Sequence, residues 1–163
     1  MDDIHELAFY GHCERVCELL RENPSLVNQR NADGDTPLHF ACWGKQNGLI
    51  GSLMAFGPDV NARGCYGRTP LHYAVHEGRA ISVPIVGGLL SEGADPSLKD
   101  NNGYTPADWA RVEMSEGLGE VLELLEGQRK VRLSGKEFEA ELLRGLAQLK
   151  EMKERAQREN DET

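Results

Sequence analysis

Short apolar clusters with helical spacing recur along the first three quarters of the chain, separated by segments rich in glycine, proline and asparagine. Within each cluster, apolar residues are adjacent or three to four positions apart, which places their side chains on one face of an α-helix. The clearest clusters are Val16, Leu19 and Leu20; Leu49, Ile50, Leu53 and Met54; and Ile85, Val86, Leu89 and Leu90. The pattern therefore predicts several short amphipathic helices joined by tight turns.

A four-residue motif precedes these clusters at a regular interval. Thr36-Pro37-Leu38-His39 returns 33 residues later as Thr69-Pro70-Leu71-His72, and Thr105-Pro106-Ala107-Asp108 follows after another 36 residues. A threonine can cap a helix, and proline fits the first helical turn because its missing N–H is not needed there. A period of this length predicts stacked units, since no single unit can bury its own apolar face.

The motif, the glycine two residues before each threonine and the Gly93-Ala94-Asp95 segment resemble the ankyrin repeat over residues 3–126. The resemblance implies an all-α solenoid of helix-turn-helix units connected by β-turn or hairpin loops. We predict four units at about 3–31, 32–64, 65–100 and 101–126, of which the first and last are degenerate caps. The third contains an insertion between Gly78 and Pro84 and a Gly87-Gly88 pair, so we expect it to be the least rigid.

A change in composition near residue 127 predicts two regions. Residues 1–127 contain 19 acidic and 9 basic residues, net −10, whereas 128–163 contain 8 and 9, net +1. In the second region, Ser134 and Glu137 form a capping box ahead of an apolar stripe. The stripe is Phe138, Leu142, Leu146, Leu149 and Met152. We expect a charged linker and an amphipathic helix over 134–156, which packs on the last repeat, self-associates or docks into a partner.

The net charge of −9 argues against nucleic acid or an anionic membrane as the main partner, because both favour basic surfaces. No apolar run approaches the ~20 residues needed to cross a bilayer. The four cysteines are too few for a disulfide scaffold in a chain of this size, so we expect reduced thiols and a cytoplasmic location, with a nuclear one left open.

The histidines and cysteines do not form a pattern typical of catalysis or metal binding. His39 and His72 repeat with the structural period, which favours a hydrogen-bonding brace between neighbouring loops, and His12 is interpreted in the same way. Cys13, Cys17 and Cys42 are expected to be small core residues, with Cys65 at an exposed turn tip. We therefore predict no enzymatic activity, no metal and no cofactor.

The resemblance implies a protein-binding module that uses a concave face of turn tips and first helices. Tryptophan, tyrosine and arginine most often anchor interfaces, and Trp43, Tyr66 and Tyr104 stand at predicted surface positions. Trp109 is expected in the core. The predicted partner-binding residues are Arg30, Asp33, Asp35, Trp43, Arg63, Tyr66, Arg68, His76, Glu77, Asn102 and Tyr104.

Three functions fit these features. The first is an adaptor or regulatory subunit that binds another protein. The second is an inhibitor or immunity-type protein that blocks the cleft of a basic enzyme, which the acidic charge of residues 1–127 would assist. The third is a structural spacer that self-associates through its C-terminal helix.

Overall fold

The computed structural model describes residues 3–76, 82–113 and 118–132, which contain eight α-helices arranged as four consecutive pairs. The helices are α1 Ile4–Tyr10, α2 Cys13–Glu22, α3 Pro37–Trp43, α4 Asn47–Met54, α5 Pro70–Val75, α6 Val83–Ser91, α7 Pro106–Glu113 and α8 Leu118–Arg132. Two short 3₁₀ helices, Pro24–Asn28 and Cys65–Gly67, lie between pairs. The described ranges contain no β-strand, and the predicted all-α repeat fold is confirmed.

The helix pairs stack in sequence order. The first helices α1, α3, α5 and α7 contact one another consecutively, and the second helices α2, α4 and α6 do the same. Leucines at the third position of each complete motif, Leu38 and Leu71, are fully buried between the pairs. Small Ala41 and Ala74 are also fully buried, which lets neighbouring first helices approach closely. One apolar core therefore runs through the stack.

A tight backbone hairpin joins each unit to the next. The pairs are Asn31 N–H to Asp35 O at 2.9 Å, Gly64 N–H to Arg68 O at 2.8 Å, and Asp100 N–H to Tyr104 O at 2.8 Å. The glycine ahead of each threonine has a positive φ, for example 88° at Gly34, which a residue with a Cβ rarely adopts. The regular interval of glycines in the sequence therefore reflects a backbone requirement.

In the third unit, Pro84 lies in the first turn of α6, as expected. Residues 77–81, which include part of the predicted insertion, lie outside the described residues. Position 127, where composition predicted a boundary, lies inside α8, which continues to Arg132. The chain divides into two compact units at Gln128 and Arg129. The amphipathic helix expected over 134–156 lies outside the described residues.

The helices are short relative to a bilayer. Within the described ranges, none combines the length and the apolar character that crossing a membrane requires.

Candidate binding face

An aromatic residue follows the fourth position of each motif, directly before a buried alanine. Phe40 on α3, Tyr73 on α5 and Trp109 on α7 occupy this equivalent position, and all three are half-buried. Because the first helices stack side by side, the rings form a row across them. The row was missed in the sequence, although the intervals of 33 and 36 residues that relate the motifs also relate these three rings.

Another aromatic side chain lies beside this row, one helical turn further along α3. It is Trp43, whose ring lies 5.1 Å from that of Phe9, 5.9 Å from that of Phe40 and 6.3 Å from that of Tyr73. Tilted and edge-to-face arrangements at these distances are favourable for aromatic pairs. Trp43 nevertheless remains 46% exposed, so three neighbouring rings hold in place a large apolar side chain that solvent can reach.

Three further tyrosines are exposed to solvent. Tyr10 at the end of α1 is 62% exposed, Tyr66 at the second hairpin tip is 64% exposed, and Tyr104 at the third is 51% exposed. The surface positions predicted for Trp43, Tyr66 and Tyr104 are confirmed, whereas Tyr10 was not predicted. We call these side chains together the aromatic face: Phe9, Tyr10, Phe40, Trp43, Tyr66, Tyr73, Tyr104 and Trp109.

Buried histidines brace the hairpins beneath this face, as predicted. His39 Nδ1 accepts the backbone N–H of Thr36 at 3.0 Å, and its Nε2 lies 3.1 Å from Arg68 O in the next hairpin. His72 repeats the arrangement with Thr69 at 3.1 Å and Tyr104 O at 3.1 Å. Since Nδ1 is the acceptor, the neutral ring carries its proton on Nε2 and donates it to the carbonyl.

Burial lowers the pKa of both bracing histidines. Desolvation penalises the imidazolium, and this outweighs the nearby carboxylates Asp35 and Asp100, which favour it. The neutral rings therefore suit a structural brace.

The first and last units differ from the two middle units, which contain His39 and His72. His5 is buried and its Nε2 lies 3.0 Å from Gln29 O, so it ties α1 to the end of the first 3₁₀ helix, ahead of the first hairpin, a role that the sequence did not reveal. His12 was expected to be a brace, and that prediction is wrong: it is exposed, with its ring 6.3 Å from that of Tyr10. At the other end Asp108 accepts hydrogen bonds from Thr105 N–H and Oγ1–H, at 2.9 and 2.6 Å.

Two of the predicted binding arginines hold turns together. Arg30 donates to Gly34 O at 2.9 Å and to Arg63 O at 2.6 Å. Arg63 donates to Gly67 O at 3.4 Å and to Lys99 O at 2.9 Å. Each guanidinium thus joins its own turn to the next one along the chain. Both side chains are exposed, and each already donates two hydrogen bonds within the protein.

Asp35 was predicted to be available to a partner, and that prediction is wrong. It is buried, because its Oδ1 accepts the backbone N–H of Cys65 at 2.9 Å. Tyr73 Oη–H also donates to both carboxylate oxygens, at 3.1 and 3.0 Å. Burial and the adjacent carboxylate raise the pKa of Tyr73. Asp35 therefore joins two units instead of facing a partner.

The remaining predicted residues divide by position. Asp33 and Asn102 are exposed at the first and third hairpin tips, as a binding role requires. His76 is half-buried, with its ring 4.9 Å from that of Trp109. Glu77 lies outside the described residues.

Arg68 differs from the other two arginines because aromatic rings surround it. Its guanidinium carbon lies 4.4 Å from the centre of the Trp109 ring and 5.5 Å from that of Tyr66. Trp109 was expected in the core but is half-buried, since it covers Arg68 and donates its indole N–H to Asp100 Oδ2 at 3.0 Å. Hydrogen bonds from Trp109 and two backbone N–H groups lower the pKa of Asp100 despite its burial.

The four thiols are free. Cys42 is fully buried, and desolvation raises its pKa to about 12. Cys13 and Cys17 were expected in the core but are half-buried, with Cys13 Sγ 3.2 Å from Ser52 Oγ. Cys65 at the second hairpin tip is half-buried too, which corrects its predicted exposure. Among the described residues, no group of three His, Cys, Asp or Glu side chains could hold a metal ion.

Comparison with known families identifies three of the four helix pairs. A family model described as ankyrin repeats in three copies matches residues 4–100. The match covers the T-P-L-H motifs at Thr36 and Thr69 and both histidine braces.

Curated relatives match most of this chain. An ADP-ribosylation factor GTPase-activating protein of Arabidopsis thaliana is 33% identical over 76% of the chain and 17% of its own length. The ankyrin repeat and SAM domain-containing protein 6 of Rattus norvegicus is 36% identical over 65% of the chain and 12% of its length. A target of rapamycin complex 2 subunit of Saccharomyces cerevisiae is 29% identical over 67% and 26%, respectively. The chain thus spans about a quarter or less of these relatives.

Proposed function

The chain belongs to the ankyrin-repeat family, and from this premise we propose that it is a non-catalytic adaptor or regulatory subunit that binds a partner protein through its aromatic face. Ankyrin repeats generally mediate protein–protein interaction. The single observation that carries the finer proposal is Trp43, which three rings hold in place while nearly half of its side chain faces solvent. A preordered aromatic side chain loses little entropy on binding.

The braces beneath the face support this role. His39 and His72 tie successive hairpins together, and Arg30 and Arg63 do the same at the turn tips. The hairpins carry Tyr66 and Tyr104, so these rings are presented at fixed spacing. A rigid row of aromatic side chains suits recognition of a folded surface or an extended segment.

The net charge, one relative and the free thiols each add an expectation about the partner, the role or the location. The net charge of −10 over residues 1–127 favours a partner with a basic surface, as for an inhibitor of a basic enzyme. The name of the yeast relative makes that protein a subunit of a larger complex, which supports a regulatory-subunit role here. Four free thiols fit a reducing compartment such as the cytoplasm.

Photo-crosslinking tests which face binds. A benzophenone amino acid is introduced at Tyr10 or Tyr66 on the aromatic face, or at Glu18 or Arg21 on α2 as matched controls. After irradiation in native lysate, the proteins attached to the full-length chain are identified. We expect the same partner at both tyrosine positions and not at α2.

Trp43→Ala should then reduce the amount of this crosslinked partner about tenfold, as expected for loss of an interface anchor. Circular dichroism shows whether the variant keeps its helices. If the partner is captured equally from α2, or is unaffected by Trp43→Ala in a folded variant, the proposal is wrong.

A further inference from the structure

Among the residues that the structure describes, none accepts a hydrogen bond from the Arg68 guanidinium. Its Nε is buried without a hydrogen-bond partner, and the nearest carboxylate oxygen, Asp100 Oδ2, is 4.0 Å away. That distance is too long for a hydrogen bond. In the part of the chain that the structure describes, no acceptor receives a hydrogen bond from either of its Nη atoms. By contrast, Arg30 and Arg63 each donate to two backbone carbonyls.

The residues around Arg68 hold its guanidinium in place by ring contacts and do not accept its hydrogen bonds. The rings of Trp109 and Tyr66 lie against it, with ring centres 4.4 and 5.5 Å from the guanidinium carbon. The carboxylate of Asp100 instead accepts hydrogen bonds from the Trp109 indole and from two backbone N–H groups. An arginine stacked on aromatic rings keeps its N–H groups in the guanidinium plane, where they can donate outwards. The side chain remains 18% exposed, so an incoming group can reach it.

Tyr66 provides a second, independent observation at the same place. Its backbone has φ 54°, the left-handed region that costs a residue with a side chain roughly 1 kcal/mol or more. Its carbonyl accepts Asn101 N–H at 2.8 Å, which holds this conformation between two hairpins. The strained backbone keeps the Tyr66 ring beside Arg68, and Tyr104 lies against Trp109 with ring centres 6.1 Å apart.

We infer that Arg68, walled by Tyr66 and Trp109, is the subsite that takes one carboxylate from an Asp or Glu side chain of the bound partner. This inference rests on the proposed function and adds the chemistry of one contact. A planar guanidinium with free donors matches a carboxylate in a two-bond geometry. The nearby Asp100 and the acidic surface disfavour a doubly charged phosphate, so a singly charged group attached to a protein is the better match.

A double-mutant cycle tests the contact. Random peptides displayed on phage are selected against the full-length chain, and the selected peptides are synthesised and their binding to wild type and to Trp43→Ala is measured. Each acidic residue of a selected peptide is changed to its amide. For one position, we expect the amide peptide to bind the wild-type chain about tenfold more weakly, but Arg68→Gln to bind both forms within about twofold.

A purely structural role for Arg68 would weaken both peptides equally, without this coupling. Arg15→Gln on α2 is the matched control and should leave the coupling intact. If Arg68→Gln does not fold, Arg68→Lys keeps the charge without the paired donors, and the difference between acid and amide peptides should shrink several-fold.

Three results would overturn the inference: selected peptides without a carboxylate, equal losses in wild type and variant, or tighter binding of a phosphoserine peptide than of its glutamate form. Peptides that depend on Trp43 but not on Arg68 would leave the proposed function standing. Peptides that bind independently of both residues would end both proposals.

Discussion

The carboxylate of Asp35 occupies the space that a side chain at Gly64 would need, 29 positions further along the chain. From there its Oδ1 caps the N–H of Cys65 in the next hairpin at 2.9 Å. The residues equivalent to Gly64 in the neighbouring hairpins are Asn31 and Asp100. Each accepts backbone N–H groups of its own turn with its side chain. Because Gly64 has no side chain, the second hairpin is capped by Asp35 of the preceding unit.

Replacing Gly64 should be costly for this reason. In Gly64→Ala, the new Cβ would collide with the Asp35 carboxylate and lie 3.0 Å from His39 Nε2. We expect the free energy of unfolding, measured with urea, to fall by about 2–3 kcal/mol, because the cap and the brace are both disturbed.

Gly51→Ala is the matched control. A Cβ there meets nothing within 4 Å, and the residue lies inside α4, so the change should stabilise the protein by up to ~1 kcal/mol. Equal effects of the two substitutions would contradict the account of Gly64.

Tyr73 supplies a second test of the buried carboxylate. Tyr73→Phe removes the hydroxyl that donates to Asp35 and leaves a buried acceptor less satisfied. We expect a loss of about 1–2 kcal/mol in the free energy of unfolding. Tyr10→Phe, whose side chain is exposed, should change it by less than about 0.5 kcal/mol. Indistinguishable values would show that the hydroxyl contributes nothing to stability.

Stability should decrease as the medium becomes mildly acidic. The pKa of His39 and of His72 in the folded state lies below the ordinary value of 6.5, so the unfolded chain binds more protons below about that pH. The stabilisation from the neutral rings is complete above about pH 6.5 and is lost as pH falls through the lower folded-state values. Urea unfolding between about pH 7.5 and about pH 5 measures this slope.

His72→Asn should reduce the pH slope as well as the overall stability, since one of the two shifted groups is gone. His12→Asn, at an exposed position, should leave the slope unchanged. The lowered pKa values of Asp3 and Asp100 act only below the ordinary 3.8 and do not contribute in this range. If the pH dependence of the free energy of unfolding is the same in His72→Asn as in wild type, His72 does not contribute to it.

Cys42 should resist thiol reagents in the folded protein. It is fully buried, so the reagent cannot reach it, and its pKa is raised to about 12, so the reactive thiolate does not form at neutral pH. After treatment with N-ethylmaleimide under native conditions, mass spectrometry of peptides should find Cys42 unmodified, whereas in urea it should react like the other cysteines. Native modification of Cys42 at the rate of Cys65 would contradict its burial.

The sequence predicted those features that depend on one unit and its period. Thr36 and Thr69 mark the helix starts, and the repeated histidines mark the braces, because each motif contains both the cap and the ring. The exposed positions of Trp43, Tyr66 and Tyr104 follow from the same alignment of units.

Features that depend on two units together could not be predicted in this way. The burial of Asp35 results from a missing side chain at Gly64, and the half-buried position of Trp109 results from Arg68 beneath it. His5 was missed because it follows its capping residue Asp3 by two positions, whereas His39 follows Thr36 by three. In each case, the informative contact joins residues that no single-unit pattern relates.

The two histidine braces His39 and His72 point the same way along the chain: each ring donates to a carbonyl in the hairpin that follows it. The second and third units therefore each carry the hydrogen-bond donor that ties them to the unit that follows. Duplicating residues 32–64 in tandem would place such a histidine, and a carbonyl 29 residues after it, at each new junction, so the array can be lengthened by copying one unit.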